Sequence, residues 1–399
     1  MWLTIQGQGP RRTVASAERK VNNMKSKTWA CVAVNTTLVS LSFAVWNPLP
    51  NAAKVESAQQ APGTPKFQLD PFWPKPLPDR WVTGDVGGTC VDSEDHVFVV
   101  YRDNLTKKEQ RIATASPPVI EFDPDGKVVN SWGDRKTMPD RLHGCFVDYQ
   151  SNVWIAGTRD GVVHKYSHDG SKLLLQIGTK GHFDTADGTA DGAAMNSSRT
   201  VLNGPSAIAV DPTNGDVYIA DGTGNRRVVV FDREGRFLRQ WGQQATKAQI
   251  DAGAGGVFFK VVHYLALGND GLVYVCDRDA DRIEVFDKMG NFRKNILIKS
   301  KPGPVTEEGA ASWVAFSPDQ AQKFMYVADT KDEEVRIMEH TTGQLLSTFG
   351  RPGHQDGEFF EYVHAVSVDS KGNIIVSESS PPGETAGMKR VQKFRLVDH

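Results

Sequence analysis

From about residue 83 to the C-terminus the chain is a succession of apolar runs of four to six residues, each alternating in character and each bounded by Gly, Asn or Asp. That period of two, cut short by turn residues, predicts a meander of short antiparallel strands rather than helices. One unit shows the pattern whole, from Pro205 to Gly242: SAIAVD, PTNGD, VYIADGTGNRR, VVVFD, REGRFLRQWG. A small-apolar-x-Val-Asp strand leads into a turn and a β-branched strand ending in Ala-Asp. A third strand ending in Phe-Asp follows, and a fourth closes on Trp-Gly.

The unit recurs, and repetition at this scale marks an array of supersecondary units. Equivalent first-strand positions fall at Gly87, His143, Ser206, His263, Ser312 and His364, spaced by 49 to 63 residues. Six units of four strands predict an all-β fold, a six-bladed β-propeller, over residues 66–399. The strand-like segment Lys66 to Leu69 has no blade of its own and is expected to supply the outer strand of the last blade, closing the ring. Two segments exceed the template, Gly178 to Thr200 and Gln243 to Gly256, and as long insertions they are expected either to wall a ligand face or to serve as solvated connectors.

In a propeller the first strand of each blade lines the central channel, so the six equivalent positions form a ring. Here the ring reads Gly, His, Ser, His, Ser, His. Histidine is 10 of 399 residues, so three histidines at alternate positions have a chance probability of about 3 × 10⁻⁵, or about 10⁻³ once the ~30 template positions open to such a match are allowed for. Blades two, four and six lie about 120° apart, which brings His143, His263 and His364 together on the axis. Three imidazoles with an open fourth position are a catalytic zinc pattern, which copper or iron would also accept. Their bland alternative is a polar lining of a water-filled channel.

At the end of the second strand, Arg102 and Arg278 stand in blades one and four, which face each other across the axis, and both are suited to capturing a carboxylate. Pairing with a neighbouring acid such as Asp103 or Asp277 is the competing reading. Asp221, Asp277 and Asp329 precede the turn in three blades, with and without a ring histidine, and are assigned to the scaffold. His164, His168, His182, His340 and His354 lie off the ring position and are expected at the surface or in loops.

Composition adds limits. The balance of 46 Lys+Arg against 48 Asp+Glu gives a net charge of −2, which carries no nucleic-acid footprint and points to a small or proteinaceous partner. Residues 1–65 differ from the rest. Met24, Lys25, Lys27 and the apolar run Trp29 to Trp46 read as a secretory signal with Met24 as the expected start, followed by a linker from Asn51 to Pro65. The run is interrupted at Asn35, Thr36 and Thr37, a poor membrane span, so a secreted or periplasmic monomer is expected, membrane-bound only if the segment stays uncleaved. Cys31 falls in that signal. Cys90, Cys145 and Cys276 are an odd set scattered in strands, from which no disulfide framework is expected.

The segments RLHGCFVD with His143, VVHYLALGNDGLVYVCDRDADRIEVF with His263 and Arg278, YVHAVSVD with His364 and VFVVYRD with Arg102 together resemble the NHL-repeat propellers, and within them peptidyl-α-hydroxyglycine α-amidating lyase. The resemblance runs from Thr83 to Phe394. It implies that the three histidines bind Zn²⁺ and that the arginines engage a small or peptide-like substrate bearing a carboxylate. It further implies that the N–Cα bond of that substrate is cleaved to give an amide and glyoxylate. Two positions depart from the family: Thr223 stands where its catalytic tyrosine follows Asp-Gly, and Ala365 replaces an aspartate associated with structural Ca²⁺. The general base is therefore unassigned, since strand alternation turns Tyr101 and Tyr264 away from the ring face. The family's disulfide cysteines are also unmatched, which leaves blade packing and closure to hold the fold. Another metal-dependent hydrolase or lactonase on the same three histidines, or a binding propeller without catalysis, remain the alternatives.

Overall fold

The computed structural model describes residues 63–301, 309–360, 362–380 and 388–398; the expected signal and most of the linker lie outside them. The described residues form six four-stranded antiparallel sheets arranged as the blades of a propeller. Blade one is Val86–Val91, Val97–Tyr101, Val119–Phe122 and Val128–Trp132. Blade two is Leu142–Val147, Val153–Gly157, Val162–Tyr166 and Leu173–Gly178. Blade three begins with Pro205–Val210 and ends with Phe237–Trp241, and blade four runs from Val262–Leu267 to Phe292–Leu297. Blade five runs from Trp313–Phe316 to Leu345–Phe349.

Blade six is built from Val363–Val368, Ile374–Glu378, Val391–Asp398 and, as its outer strand, Lys66–Leu69. The N-terminal strand thus closes the ring as expected, with Phe67 opposite Leu396 and Leu69 opposite Phe394. Phe67 also packs its ring 5.1 Å from Phe349 and 5.6 Å from Tyr326 of blade five. Inner strands are buried on both faces, which is why runs such as VFVVY and RVVVF carry β-branched and aromatic residues without polar relief. Outer strands such as FLRQW are half exposed.

A repeated ion pair ties strands two and three. Arg227 meets Asp221 at 2.8 Å, Arg282 meets Asp277 at 3.0 Å and Arg336 meets Asp329 at 2.6 Å, all fully buried. The free carboxylate oxygens accept backbone N–H groups of Asn203, Phe259 and Lys331. The scaffold role expected of the three aspartates therefore includes a buried charge pair as well as a turn cap.

Three sequence expectations are corrected. Cys90 and Cys145 form a disulfide between the first strands of blades one and two, with Cα atoms 5.4 Å apart, leaving Cys276 free and buried. Their separation of 55 residues is one blade repeat, so neighbouring innermost strands bring like positions together. His164 and His340 are buried rather than superficial: His164 bonds the Tyr166 hydroxyl and Gln176. The two insertions do not wall the axial cavity. The first instead sends Asp184 into the Arg227 pair at 3.3 Å, and the second forms a short helix, Lys247–Asp251. Among the described residues no helix is long and apolar enough to cross a membrane.

Candidate metal centre and anion pocket

Regular strand pairing would send a first-strand side chain up or down the blade, not into the channel. The register slips at this point in every one of five blades. Val86 pairs Tyr101 and Gly88 pairs Val100; Val262 pairs Asp277 and Tyr264 pairs Cys276; Val363 pairs Glu378 and Ala365 pairs Ser377. The extra residue is Gly87, His263 or His364, with the same slip at Ser206 and across His143–Gly144. A bulge of this kind re-aims one side chain, and here it aims the ring residues inward. Glycine is needed where blades crowd at the axis, because a Cβ on Gly87 would lie 2.2 Å from the Leu142 carbonyl oxygen.

The three imidazoles meet. Ring centroids of His143, His263 and His364 are 4.7, 4.7 and 5.1 Å apart, and one nitrogen from each lies within 4.8 Å of the others. His143 donates its Nδ1 proton to the Ser206 carbonyl at 2.8 Å and His263 does so to Ser312 at 2.7 Å. Each donation fixes the tautomer and leaves Nε2 as a lone pair facing the axis. His364 Nε2 stands 3.2 Å from His143 Nε2, while its buried Nδ1 has no partner among the described residues. All three pKa values are held well below the usual 6.5. Burial is the main cause, followed by His263 for His143, Arg278 for His263 and His143 for His364. Neutral lone pairs converging on one point suit a divalent metal.

Above the imidazoles is a cavity of about 180 Å³ whose wall includes Arg102, Arg141, Arg278, Thr223, Tyr362 and Ser380. Arg102 and Arg278 do converge on it, at 6 % and 9 % exposure. Arg278 pairs with Asp279 at 2.9 Å, not with Asp277, and donates to the Tyr362 hydroxyl. Arg102 is 4.0 Å from Asp85 and donates to the Leu142 carbonyl and the Ser379 hydroxyl. Burial, and then the nearby Arg141, lower the Arg102 guanidinium to about 10 against the opposing pull of Asp85. The mutual repulsion favours an anion in the cavity.

Arg141 and Tyr362 escaped the sequence reading, although both sit in quoted segments or beside them, one residue before Leu142-His143 and two before His364. Arg141 has a left-handed backbone, φ 51°, and its side chain makes no hydrogen bond or ion pair among the described residues. A non-glycine residue held there over an open cavity is a pointer to function. Tyr362 is 3 % exposed, its ring 5.5 Å from that of His364. Thr223 does line the cavity, but its hydroxyl donates to the Gly204 carbonyl at 2.9 Å. Tyr264 stacks on Trp313 with centroids 3.7 Å apart and Tyr101 is buried in the blade one core, so both point away as strand alternation requires.

A sequence model of the NHL repeat matches residues 202–231. The chain is 30% identical over 286 residues to NHL repeat-containing protein 3 of Mus musculus, covering 69% of this chain and 70% of that one. It is 29% identical over 346 residues to the Homo sapiens protein of that name, covering 82% and 84%. Peptidyl-alpha-hydroxyglycine alpha-amidating lyase 1 of Drosophila melanogaster is 27% identical over 318 residues, covering 77% of this chain and 52% of its own length. Together with the six blades and the repeat, these relatives show that the chain belongs to the NHL-repeat β-propellers, in the family of NHL repeat-containing protein 3.

Proposed function

We propose that the protein is a metal-dependent carbon–nitrogen lyase acting on a small α-hydroxylated amide that carries a carboxylate. The observation that carries this reading is the stacking of a three-histidine centre beneath three guanidinium groups in one small cavity. Similarity to an amidating lyase supports it.

Zn²⁺ held by His143, His263 and His364 would supply Lewis acidity toward a hydroxyl or carbonyl oxygen. The remaining work belongs to the chain. Arg102 and Arg278 hold the carboxylate from opposite sides of the axis, and Arg141 adds a third positive charge. The hydroxyl proton of the substrate leaves and a C=O bond forms as the N–Cα bond breaks; the departing nitrogen takes up a proton to give the amide. Tyr362 is the group placed to move that proton, since its hydroxyl accepts from Arg278 in the cavity wall. Thr223 does not take the role, because an alkyl hydroxyl neither ionises nor accepts a proton near neutral pH, and its own proton is donated to the Gly204 carbonyl.

Export is part of the same proposal, and the Cys90–Cys145 bridge suits an oxidising compartment. The test is incubation of the zinc-loaded protein with an α-hydroxyglycine peptide and assay of glyoxylate. Release that falls at least 100-fold in His263→Ala is expected; release no greater than that of the variant would remove the reading.

A further inference from the structure

The turn after the first strand of each blade lies five residues from the ring position, roughly 16 Å along the strand and so at the opposite face of the propeller. In blades two, three and six that turn begins with a buried aspartate held by a lysine. Asp148 meets Lys165 at 3.1 Å, Asp369 meets Lys393 at 3.1 Å and Asp211 meets Lys288 at 2.5 Å. In blades two and six the lysine comes from the third strand, one residue before its buried aromatic, and the fourth residue after the aspartate is an asparagine that donates back to it, Asn152 or Asn373. Lys288 comes instead from the turn before a fourth strand.

Blade one breaks this pattern at all three partner positions. The turn aspartate is Asp92, the lysine is replaced by Glu121, the asparagine by His96, and the turn position of Lys288 by His168 of blade two. Two buried carboxylates thus share a site that no lysine or arginine reaches among the described residues; the side chains that approach them are imidazoles, while the backbone N–H groups of Glu94 and His96 donate to Asp92 Oδ1 at 2.9 and 2.8 Å and leave Oδ2 to the imidazoles. His168 Nε2 is 3.0 Å from Asp92 Oδ2, and His96 Nδ1 is 2.7 Å from Glu121 Oε1 and 3.9 Å from Asp92 Oδ2. Asp92, Glu121 and His168 each place an atom within 4.8 Å of the other two. A tetrahedral ion with bonds of about 2.0–2.1 Å sets its ligand atoms roughly 3.3 Å apart. The contrasting group Asp329, Asp332 and Glu334 is already engaged by Arg336 and Lys301, each carboxylate in an ion pair.

We propose that Asp92, Glu121 and His168, completed by His96, form a second divalent-metal site on the face opposite the cavity, selective for zinc-class ions. Two carboxylate oxygens and two imidazole nitrogens are a zinc donor set, and the metal takes the place that lysine fills in blades two and six. His168, 39 % exposed at its side chain, leaves the ion a route in. The site is independent of the lyase reading, because none of its residues touches the axial cavity.

The experiment is zinc analysis after chelator stripping and dialysis against Zn²⁺. The double substitution His96→Asn with Glu121→Lys restores the arrangement of blades two and six, so the blade has a template for folding. It is expected to bind one zinc fewer than the unaltered protein, and His263→Ala to lose a different one. A folded double variant that binds as many zinc ions as the unaltered protein overturns the site. Should the double variant not fold, His168→Ala decides: a loss of tenfold or more in affinity at one site supports the proposal, and unchanged affinity at every site overturns it.

Discussion

At the cavity wall, Arg141 and Tyr362 have separable duties. Arg141 is positive, without a side-chain partner among the described residues, and faces the space a carboxylate would enter. Arg141→Ala is expected to raise KM about tenfold to a hundredfold with little change in kcat, the worth of one hydrogen bond to a charged group. Tyr362→Phe keeps the ring beside His364 and removes the hydroxyl, so kcat is expected to fall roughly 10² to 10⁴-fold with KM near its starting value. Steady-state kinetics on an α-hydroxyglycine peptide check both. Equal losses in kcat for the two variants would break the division of labour. Neither residue could be singled out from the repeat: both stand two residues before the ring position, where the six blades carry Asp85, Arg141, Gly204, Val261, Ala310 and Tyr362, with no residue type in common. The histidines could, since three of six equivalent positions carry one uncommon residue type.

Between elements, the ion pairs of strands two and three are not balanced alike. In blade four Arg282 serves two buried acids, Asp277 at 3.0 Å and Glu284 at 2.7 Å. One guanidinium cannot offset two carboxylates, and burial pushes Glu284 up to about 8 and Asp277 up to about 6. The folded blade therefore holds protons that the unfolded chain has released, and stability falls as pH rises from the ordinary carboxyl range through about 8. Glu284→Gln is expected to flatten that decline in urea unfolding curves measured between pH 5 and 8.5. Blade-to-blade linkage has its own test. Removing the Cys90–Cys145 bridge, which closes a loop of 55 residues, is expected to reduce stability by about 2–4 kcal/mol, read as a fall in the urea midpoint of Cys90→Ala/Cys145→Ala. The bridge was hidden from a cysteine count because pairing depends on which strands become neighbours. The spacing of one blade between the two cysteines was the available signal.

For the whole ring, closure joins the first described strand to the last. Phe67 seats its ring between blades five and six, so Phe67→Ala is expected to cost roughly 2 kcal/mol of stability. Because the strand seals the molecule, that loss should appear as a lower single unfolding transition in thermal melts rather than as a separate early step. A two-step melt with the main transition unmoved would show that blade six closes without it.

Alternating apolar runs, turn residues and a repeat of about one blade determined the six blades, the closing strand and the ring of three histidines, since all of these are periodic along the chain. Periodicity is a property of sequence, and a ring of equivalent units converts it directly into geometry. The tertiary structure alone decided what breaks the period. It supplied the first-strand bulges that turn His143, His263 and His364 inward, the disulfide between blades one and two, the burial of His164 and His340, and the meeting of Arg141 and Tyr362 with the two expected arginines. It also brought Asp92, Glu121, His96 and His168 together from two blades. Each of these depends on which residues of different blades come within a few ångströms, and chain order does not encode that distance.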